Sequence, residues 1–101
     1  MTWKAWIDSY VHDHSLARGL KTATVALYQK AMEQFEGYAR FRLQKGPDQI
    51  TQRDILEYLE RCLRGERGNC QRVLNWHVVV LRGFYKAAVA LGFLEPARNP
   101  M

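Results

Sequence analysis

The chain has 101 residues, of which 48% are hydrophobic, so it can form one domain with a packed core but not two. This composition excludes wholesale disorder, and no apolar run approaches the roughly 20 residues that a membrane-spanning helix needs. Lysines and arginines number 15 against 10 acidic residues, and the resulting net charge of +5 suits a polyanionic partner.

The amino terminus and the cysteines bear on the cellular compartment. The first stretch, MTWKAWIDSY, has no apolar segment ahead of a cleavage site and is therefore not a signal peptide. We expect a cytoplasmic protein. Its two cysteines, Cys62 and Cys70, are too few for a disulfide framework and are predicted to be buried, reduced thiols.

The first predicted helix covers residues 3–17 and stops at Gly19. Apolar residues at steps of four and three predict one buried stripe, made of Trp3, Ile7, Tyr10 and His14 and widened by Trp6 and Val11.

The second predicted helix covers residues 22–45, about 36 Å, and ends at Gly46-Pro47. Its predicted buried stripe is Val25, Tyr28, Met32, Phe35 and Ala39, widened by Leu27, Ala31, Tyr38 and Phe41.

The third predicted helix has the clearest local signals. Thr51 stands three residues before Asp54, which is a capping box, and Ile50 with Ile55 forms a hydrophobic staple. The loop GERG closes this helix. Its predicted buried stripe is Ile55, Leu59, Cys62 and Leu63.

The fourth predicted helix covers residues 69–91, with Asn69 as its cap. It carries two stripes: a buried one of Leu74, Val78, Leu81, Tyr85 and Ala88, and an opposite one of Arg72, Asn75, Val79, Arg82 and Lys86. Arginine and lysine reach phosphates, and arginine and asparagine suit base edges, so the second stripe is a candidate nucleic-acid contact. A simple solvated helix face is the alternative interpretation.

These four amphipathic helices, without period-2 alternation or hairpin signals, predict an all-α fold, a compact bundle of four helices. Four segments then carry a resemblance: TATVALYQKAMEQFEGY, ITQRDILEYL, NWHVVVLRGFYKAAVALGF and ARNPM. In this order they resemble the SAM-like, N-terminal core-binding domain of the tyrosine recombinase (phage integrase) family. The fourth-helix hallmark is a Leu-Arg pair followed by paired aromatics, here Leu81-Arg82 and Phe84-Tyr85.

The resemblance implies a domain organisation and a function. Residues 1–95 would be the DNA-binding domain, and residues 96–101 would begin a linker to a catalytic domain. The family's domain forms half of a clamp around duplex DNA at the recombination site, with its second and fourth helices against the major groove. The DNA-binding residues so implied are Lys21, Thr22, Thr24, Lys30, Asn69, Gln71, Arg72, Asn75, Arg82 and Lys86. Trp76 and His77 depart from the family pattern, because relatives often carry basic or polar residues there.

The resemblance also implies the partners and the missing chemistry. The partners are double-stranded DNA, the protein's own catalytic domain and other recombinase protomers, and neither a membrane nor a cofactor is implied. The family's tyrosine nucleophile belongs to the following domain, so no catalytic residue is expected in this chain. No metal site is predicted either, since His12 and His14 lie on different helix faces and the cysteines are eight residues apart. His14 and His77 are predicted to lie at the core edge.

Two other functions remain open at this point. One is a basic helical protein-interaction module without DNA binding, using the end with Trp3 and Trp6 as its contact surface. The other is a free-standing transcription regulator, which the long second and fourth helices fit poorly. A second basic cluster, Arg40, Arg42 and Lys45, ranks below the fourth-helix stripe as a DNA contact, because Glu33 and Glu36 can neutralise part of it.

Overall fold

Helices make up nearly all the regular structure in the computed structural model, which describes residues 2–15, 19 and 21–101, with only the backbone of 13–15. Within those residues there are four principal helices and no strand, so the all-α prediction is confirmed. The first three helices begin as α-helix and continue as π-helical turns. The helices are α1 (Trp3–Ser9, then Tyr10–Ser15), α2 (Thr22–Tyr38, then Ala39–Leu43), α3 (Gln52–Glu57, then Tyr58–Glu66) and α4 (Gln71–Ala90). Pro47–Gln49 and Pro96–Arg98 are short 3₁₀ turns.

Helix α1 lays its aromatic stripe against the core. Thr2 caps it, since the Thr2 hydroxyl accepts a hydrogen bond from the Ala5 N–H at 3.3 Å. Four predicted stripe residues are buried, namely Trp3, Trp6, Ile7 and Tyr10. The side chain of His14 and the predicted end of the helix at residue 17 lie outside what the structure describes.

Helix α2 buries most of its predicted stripe, but two assignments are wrong. Leu27 is 56% exposed and Phe41 is 79% exposed. Phe41 follows the buried Phe35 by six residues, about 1.67 turns, which places it about a third of a turn away from the core-facing side. The helix also ends earlier than predicted. Gln44 adopts a left-handed conformation (φ 54°), and Lys45 N–H donates to the Ala39 carbonyl at 3.1 Å.

The capping box of α3 is confirmed. The Asp54 carboxylate accepts from Thr51 N–H at 3.0 Å, and the Thr51 hydroxyl accepts from Asp54 N–H at 3.2 Å. Ile50 and Ile55 are both buried, as a staple requires. The helix runs on through Gly65 to Glu66, so the glycine at 65 does not end it.

Helix α4 begins two residues later than predicted. Asn69 is not its cap, because the first intrahelical hydrogen bond runs from Leu74 N–H to the Cys70 carbonyl at 3.2 Å. The Asn69 N–H donates instead to the Leu63 carbonyl at 2.8 Å, at the end of α3. Cys70 holds the cap position and is exposed, so the prediction of a buried thiol is right for Cys62 and wrong for Cys70.

The carboxyl end of α4 is a Schellman turn. Gly92 has φ +80°, Phe93 N–H donates to the Ala88 carbonyl at 2.9 Å, and Gly92 N–H donates to the Val89 carbonyl at 3.1 Å. The chain therefore reverses sharply at Gly92 and returns to the core.

An aromatic cluster joins the helices. Trp3 meets Phe35 edge-on at 5.7 Å between ring centroids, and Phe35 meets Tyr58 at 4.9 Å. Trp3 also donates its indole N–H to the Lys45 carbonyl at 2.9 Å. Trp3 and Trp6 are only 6% and 2% exposed, so the proposed contact surface of a protein-interaction module is core instead.

Residues 93–100 pack back onto the bundle. Leu94 is buried, and the Phe93 ring lies 5.6 Å from that of Trp6. The Arg98 guanidinium donates to the Asp48 carbonyl at 3.4 Å, and Pro100 is buried. Phe93 and Leu94 thus complete the core, whereas the domain boundary after residue 95 stays a prediction.

Candidate nucleic-acid interface

Helices α2 and α4 meet through an aromatic pair. The Tyr28 and Trp76 rings lie 5.0 Å apart, and Tyr28 also meets Tyr10 edge-on at 6.2 Å. This contact places the amino-terminal half of α2 beside the first turns of α4. We call the ten DNA-binding residues predicted on these helices and their leading loops the α2–α4 surface: Lys21, Thr22, Thr24, Lys30, Asn69, Gln71, Arg72, Asn75, Arg82 and Lys86.

The residues of the α2–α4 surface are accessible. Thr24 and Asn69 are half-buried, and the other eight are exposed. The predicted buried stripe of α4 lies on the opposite side, where Leu74, Leu81, Tyr85 and Ala88 are buried and Val78 is half-buried. From Arg72 to Lys86 the exposed stripe runs about 21 Å along the helix. That length matches several successive phosphates of a duplex, which rise 3.4 Å per nucleotide on each strand.

Ion pairing separates this surface from the second basic cluster. Arg40 pairs with Glu36 at 2.9 Å, Lys45 pairs with Asp54 at 2.7 Å, and Arg42 pairs with Glu66. Each of the three basic side chains in the second cluster is therefore neutralised by a neighbouring carboxylate.

The basic residues of the α2–α4 surface differ from the second basic cluster in their ion pairing. Among the side chains that the structure describes, no carboxylate forms an ion pair with Lys21, Lys30, Arg72, Arg82 or Lys86. The cations of α2 and α4 that lack an acidic partner among the described side chains thus all belong to the predicted set of ten residues. Such charge favours a polyanion, because its field is not cancelled at short range.

The start of α4 adds a further attraction for negative charge. Backbone N–H groups of Val73 and Arg72 hold the pKa of the Cys70 thiol below its usual range. The same N–H groups and the helix dipole stabilise any anion at this end of the helix. Gln71 and Arg72 stand directly beside it.

The carboxyl end of α3 contributes basic residues that the sequence reasoning missed. Arg61, Arg64 and Arg67 are exposed and lead into Asn69. Arg64 forms an ion pair with Glu60 at 3.3 Å and donates a second N–H to the Gln71 side-chain oxygen. Three arginines within seven residues, immediately before the fourth helix, were the available signal.

A short chain of hydrogen bonds crosses this end of the surface. Arg64 donates to Gln71 Oε1, and Gln71 Nε2 donates to Asn75 Oδ1 at 2.9 Å. Arginine has no acceptor atom, so the oxygen of Gln71 must face it and the nitrogen must face Asn75. The orientation of both amides follows from this chain.

The two departures from the expected pattern, Trp76 and His77, are packing residues. Trp76 is half-buried against Tyr28, and His77 is 5% exposed and shares a hydrogen bond with the Tyr58 hydroxyl at 3.3 Å. Burial lowers the pKa of His77. Among the described residues no three His, Cys, Asp or Glu side chains converge as metal ligands would.

Comparison with known proteins decides the family. The family model described as phage integrase, N-terminal SAM-like domain matches residues 7–92. The chain belongs to this family. Searches of curated proteins and of solved structures found no match. Membership in the phage integrase SAM-like family points to a role in site-specific recombination, and to DNA and recombinase partners in general. Only the N-terminal SAM-like domain is detected, and no catalytic domain. No helix of the described residues is long and apolar enough to cross a bilayer.

Proposed function

We propose that this chain is the DNA-binding domain of a site-specific tyrosine recombinase, and that it holds duplex DNA at the recombination site through the α2–α4 surface. One observation carries the proposal. Among the described side chains, the cations of this surface lack acidic partners, whereas Arg40, Arg42 and Lys45 are all paired. In the full-length protein a catalytic domain after residue 101 would cleave and rejoin the DNA that this domain positions in the cytoplasm.

The division of labour follows from residue chemistry. Lys21, Lys30 and Lys86 supply point charges for phosphates, and the hydroxyls of Thr22 and Thr24 supply short hydrogen bonds at the start of α2. Arg72 and Arg82 reach phosphate or guanine with two N–H groups each. Most of the affinity is therefore electrostatic and depends on salt.

The alternative of a protein-interaction module has lost its main support. Its proposed contact residues, Trp3 and Trp6, are buried in the aromatic cluster and offer no free surface. If DNA binds the α2–α4 surface, a titration with duplex DNA should shift amide resonances of α2 and α4 and leave those of Trp3–Ser9 unchanged.

Charge removal on α4 tests the proposal. We expect Arg72→Ala with Arg82→Ala to weaken binding to a mixed-sequence duplex of about 20 base pairs. We also expect the slope of log K against log salt to fall by about 2, because two phosphate contacts are lost. Fluorescence anisotropy at several salt concentrations measures both quantities.

The matched control removes the same charge elsewhere. Arg40→Ala with Arg42→Ala deletes two arginines that already pair with Glu36 and Glu66. This control variant should keep the wild-type salt slope. Equal slopes in the wild type and the Arg72/Arg82 variant would refute the assignment of the surface.

A further inference from the structure

Val79 is an exposed apolar residue in the middle of the polar face of α4. It is 51% exposed, and it lies one turn after Asn75 and one turn before Arg82. Core packing does not explain its type, because half of its surface faces solvent. In the major groove the apolar feature on a base edge is the 5-methyl group of thymine.

Asn75 presents a hydrogen-bond donor beside Val79. Its Oδ1 already accepts from Gln71 Nε2, and Gln71 is in turn oriented by Arg64. Asn75 is exposed, and its Nδ2 group forms no hydrogen bond with any described side chain or carbonyl, so both of its N–H groups are available to a ligand. An available donor selects an acceptor on the base edge.

The two features fit one base. Residues four apart on a helix have Cβ atoms about 5–6 Å apart, so Asn75 and Val79 can reach the same base or its neighbour. Thymine displays an acceptor, O4, next to its methyl group, whereas cytosine displays a donor at that place.

We propose, on the basis of the proposed function, that α4 reads thymine in the major groove. Asn75 Nδ2 donates to thymine O4, Val79 packs on the 5-methyl group, and Arg64 is a positioning residue that acts on Asn75 through Gln71.

The test compares two duplexes of one mixed sequence, about 20 base pairs long, with deoxyuridine replacing every thymidine in the second. The two duplexes have equal charge and equal hydrogen-bonding edges, and they differ only in the methyl groups. The wild type is expected to bind the thymidine duplex about three- to fourfold more tightly, the value of one buried methyl group. Val79→Ala should bring the ratio close to one.

The control is Phe41→Ala. It removes an exposed apolar side chain from the carboxyl end of α2, where Arg40 and Arg42 form ion pairs. This variant should keep the wild-type ratio. A wild-type ratio of one, or a ratio unchanged in Val79→Ala, overturns the thymine proposal while DNA binding stands. If the wild type binds neither duplex, the proposed function and this inference are both overturned.

The positioning role of Arg64 has its own readout in the free protein. Arg64→Ala is expected to shift the side-chain amide resonances of Asn75, and Arg64→Lys, which keeps a donor, should restore them in part. Arg61→Ala removes the same charge from the same helix without touching Gln71 and should leave those resonances in place. Unmoved Asn75 resonances in Arg64→Ala would overturn the relay.

Discussion

Asp54 joins three parts of the chain at a single carboxylate. It closes the capping box with Thr51 and accepts a hydrogen bond from the Lys45 ammonium at 2.7 Å, across nine residues of sequence. Burial alone would raise the pKa of Asp54, but the hydrogen bonds from Lys45 and Thr51 outweigh it and hold the pKa below the ordinary value of 3.8. The charged form is therefore the one that the fold stabilises.

The pH dependence of stability follows from this lowered pKa. The contribution of Asp54 is fully present above pH 4 or so and is lost as the pH falls through the folded-state pKa, because protonation removes the acceptor charge. We expect Asp54→Asn to lower the free energy of unfolding by about 1.5–3 kcal/mol at pH 7. The difference in unfolding free energy between the wild type and Asp54→Asn should become smaller toward pH 2, as measured by urea denaturation.

Asp48→Asn is the control for this experiment. Asp48 is exposed, and none of its carboxylate oxygens forms an ion pair among the described residues. Its replacement should change stability little at either pH. A gap for Asp54→Asn that persists unchanged at pH 2 would contradict a role for the ionised carboxylate.

At the scale of the helices, two glycines inside α2 and α4 have opposite roles. A Cβ on Gly83 would lie 3.0 Å from the Tyr10 hydroxyl, so this glycine lets α1 approach α4. Tyr10 is only 4% exposed and is held by the rings of Tyr28 and Phe84, so it has little room to move. A Cβ on Gly37 would meet no atom of the described residues within 4 Å, outside its own helix backbone and its chain neighbours.

The two alanine variants should therefore change the free energy of unfolding in opposite directions. Gly37→Ala is expected to stabilise the protein by about 0.5–1 kcal/mol, through helix propensity. Gly83→Ala has the same gain but adds overpacking against Tyr10, and a net loss of about 1 kcal/mol is expected. Thermal and urea unfolding of the pair measure the difference. Equal stabilisation by the two substitutions would show that the Tyr10 side chain can move away from the added Cβ.

Helix number, order and buried faces could be predicted because each depends on local periodicity and capping signals. The exposed positions of Leu27 and Phe41 could not be predicted, since apolar character alone does not tell how far each side chain turns from the core. The start of α4 was misplaced because asparagine is a favoured cap residue, whereas the first intrahelical hydrogen bond runs from Leu74 N–H to the Cys70 carbonyl and puts the cap at Cys70.

The candidate site was predictable in part, for the same reason. The exposed α4 stripe follows from its period. The pairing of Arg42 with Glu66, 24 residues away, and of Arg64 with Gln71 depends on how α2, α3 and α4 pack. Which cations remain uncompensated is therefore a property of the tertiary structure.

At the scale of the whole molecule, the segment after Gly92 completes the core. Phe93 covers Trp6, Leu94 is buried, and Arg98 reaches the Asp48 carbonyl on the turn before α3. Residues from opposite ends of the chain thus share one hydrophobic cluster.

Truncation tests this closure. A chain ended after Gly92 should lose about 3–5 kcal/mol of unfolding free energy relative to the full chain, because it lacks two core side chains. That is a large fraction of the stability of a small domain. A chain ended after Glu95 keeps Phe93 and Leu94 and should lose much less, as denaturant titration would show. Equal losses would place the closing contacts beyond residue 95.

The three tryptophans lie in two different environments, and both contribute to the intrinsic fluorescence of the protein. Trp3 and Trp6 lie in the core, whereas Trp76 is half-buried against Tyr28, at the junction of α2 and α4. Unfolding exposes all three indoles and shifts the emission of each toward the red. A ligand on α2 and α4 alters the surroundings of Trp76 alone. One chain thus carries separate optical reporters for folding and for occupancy, without any added label.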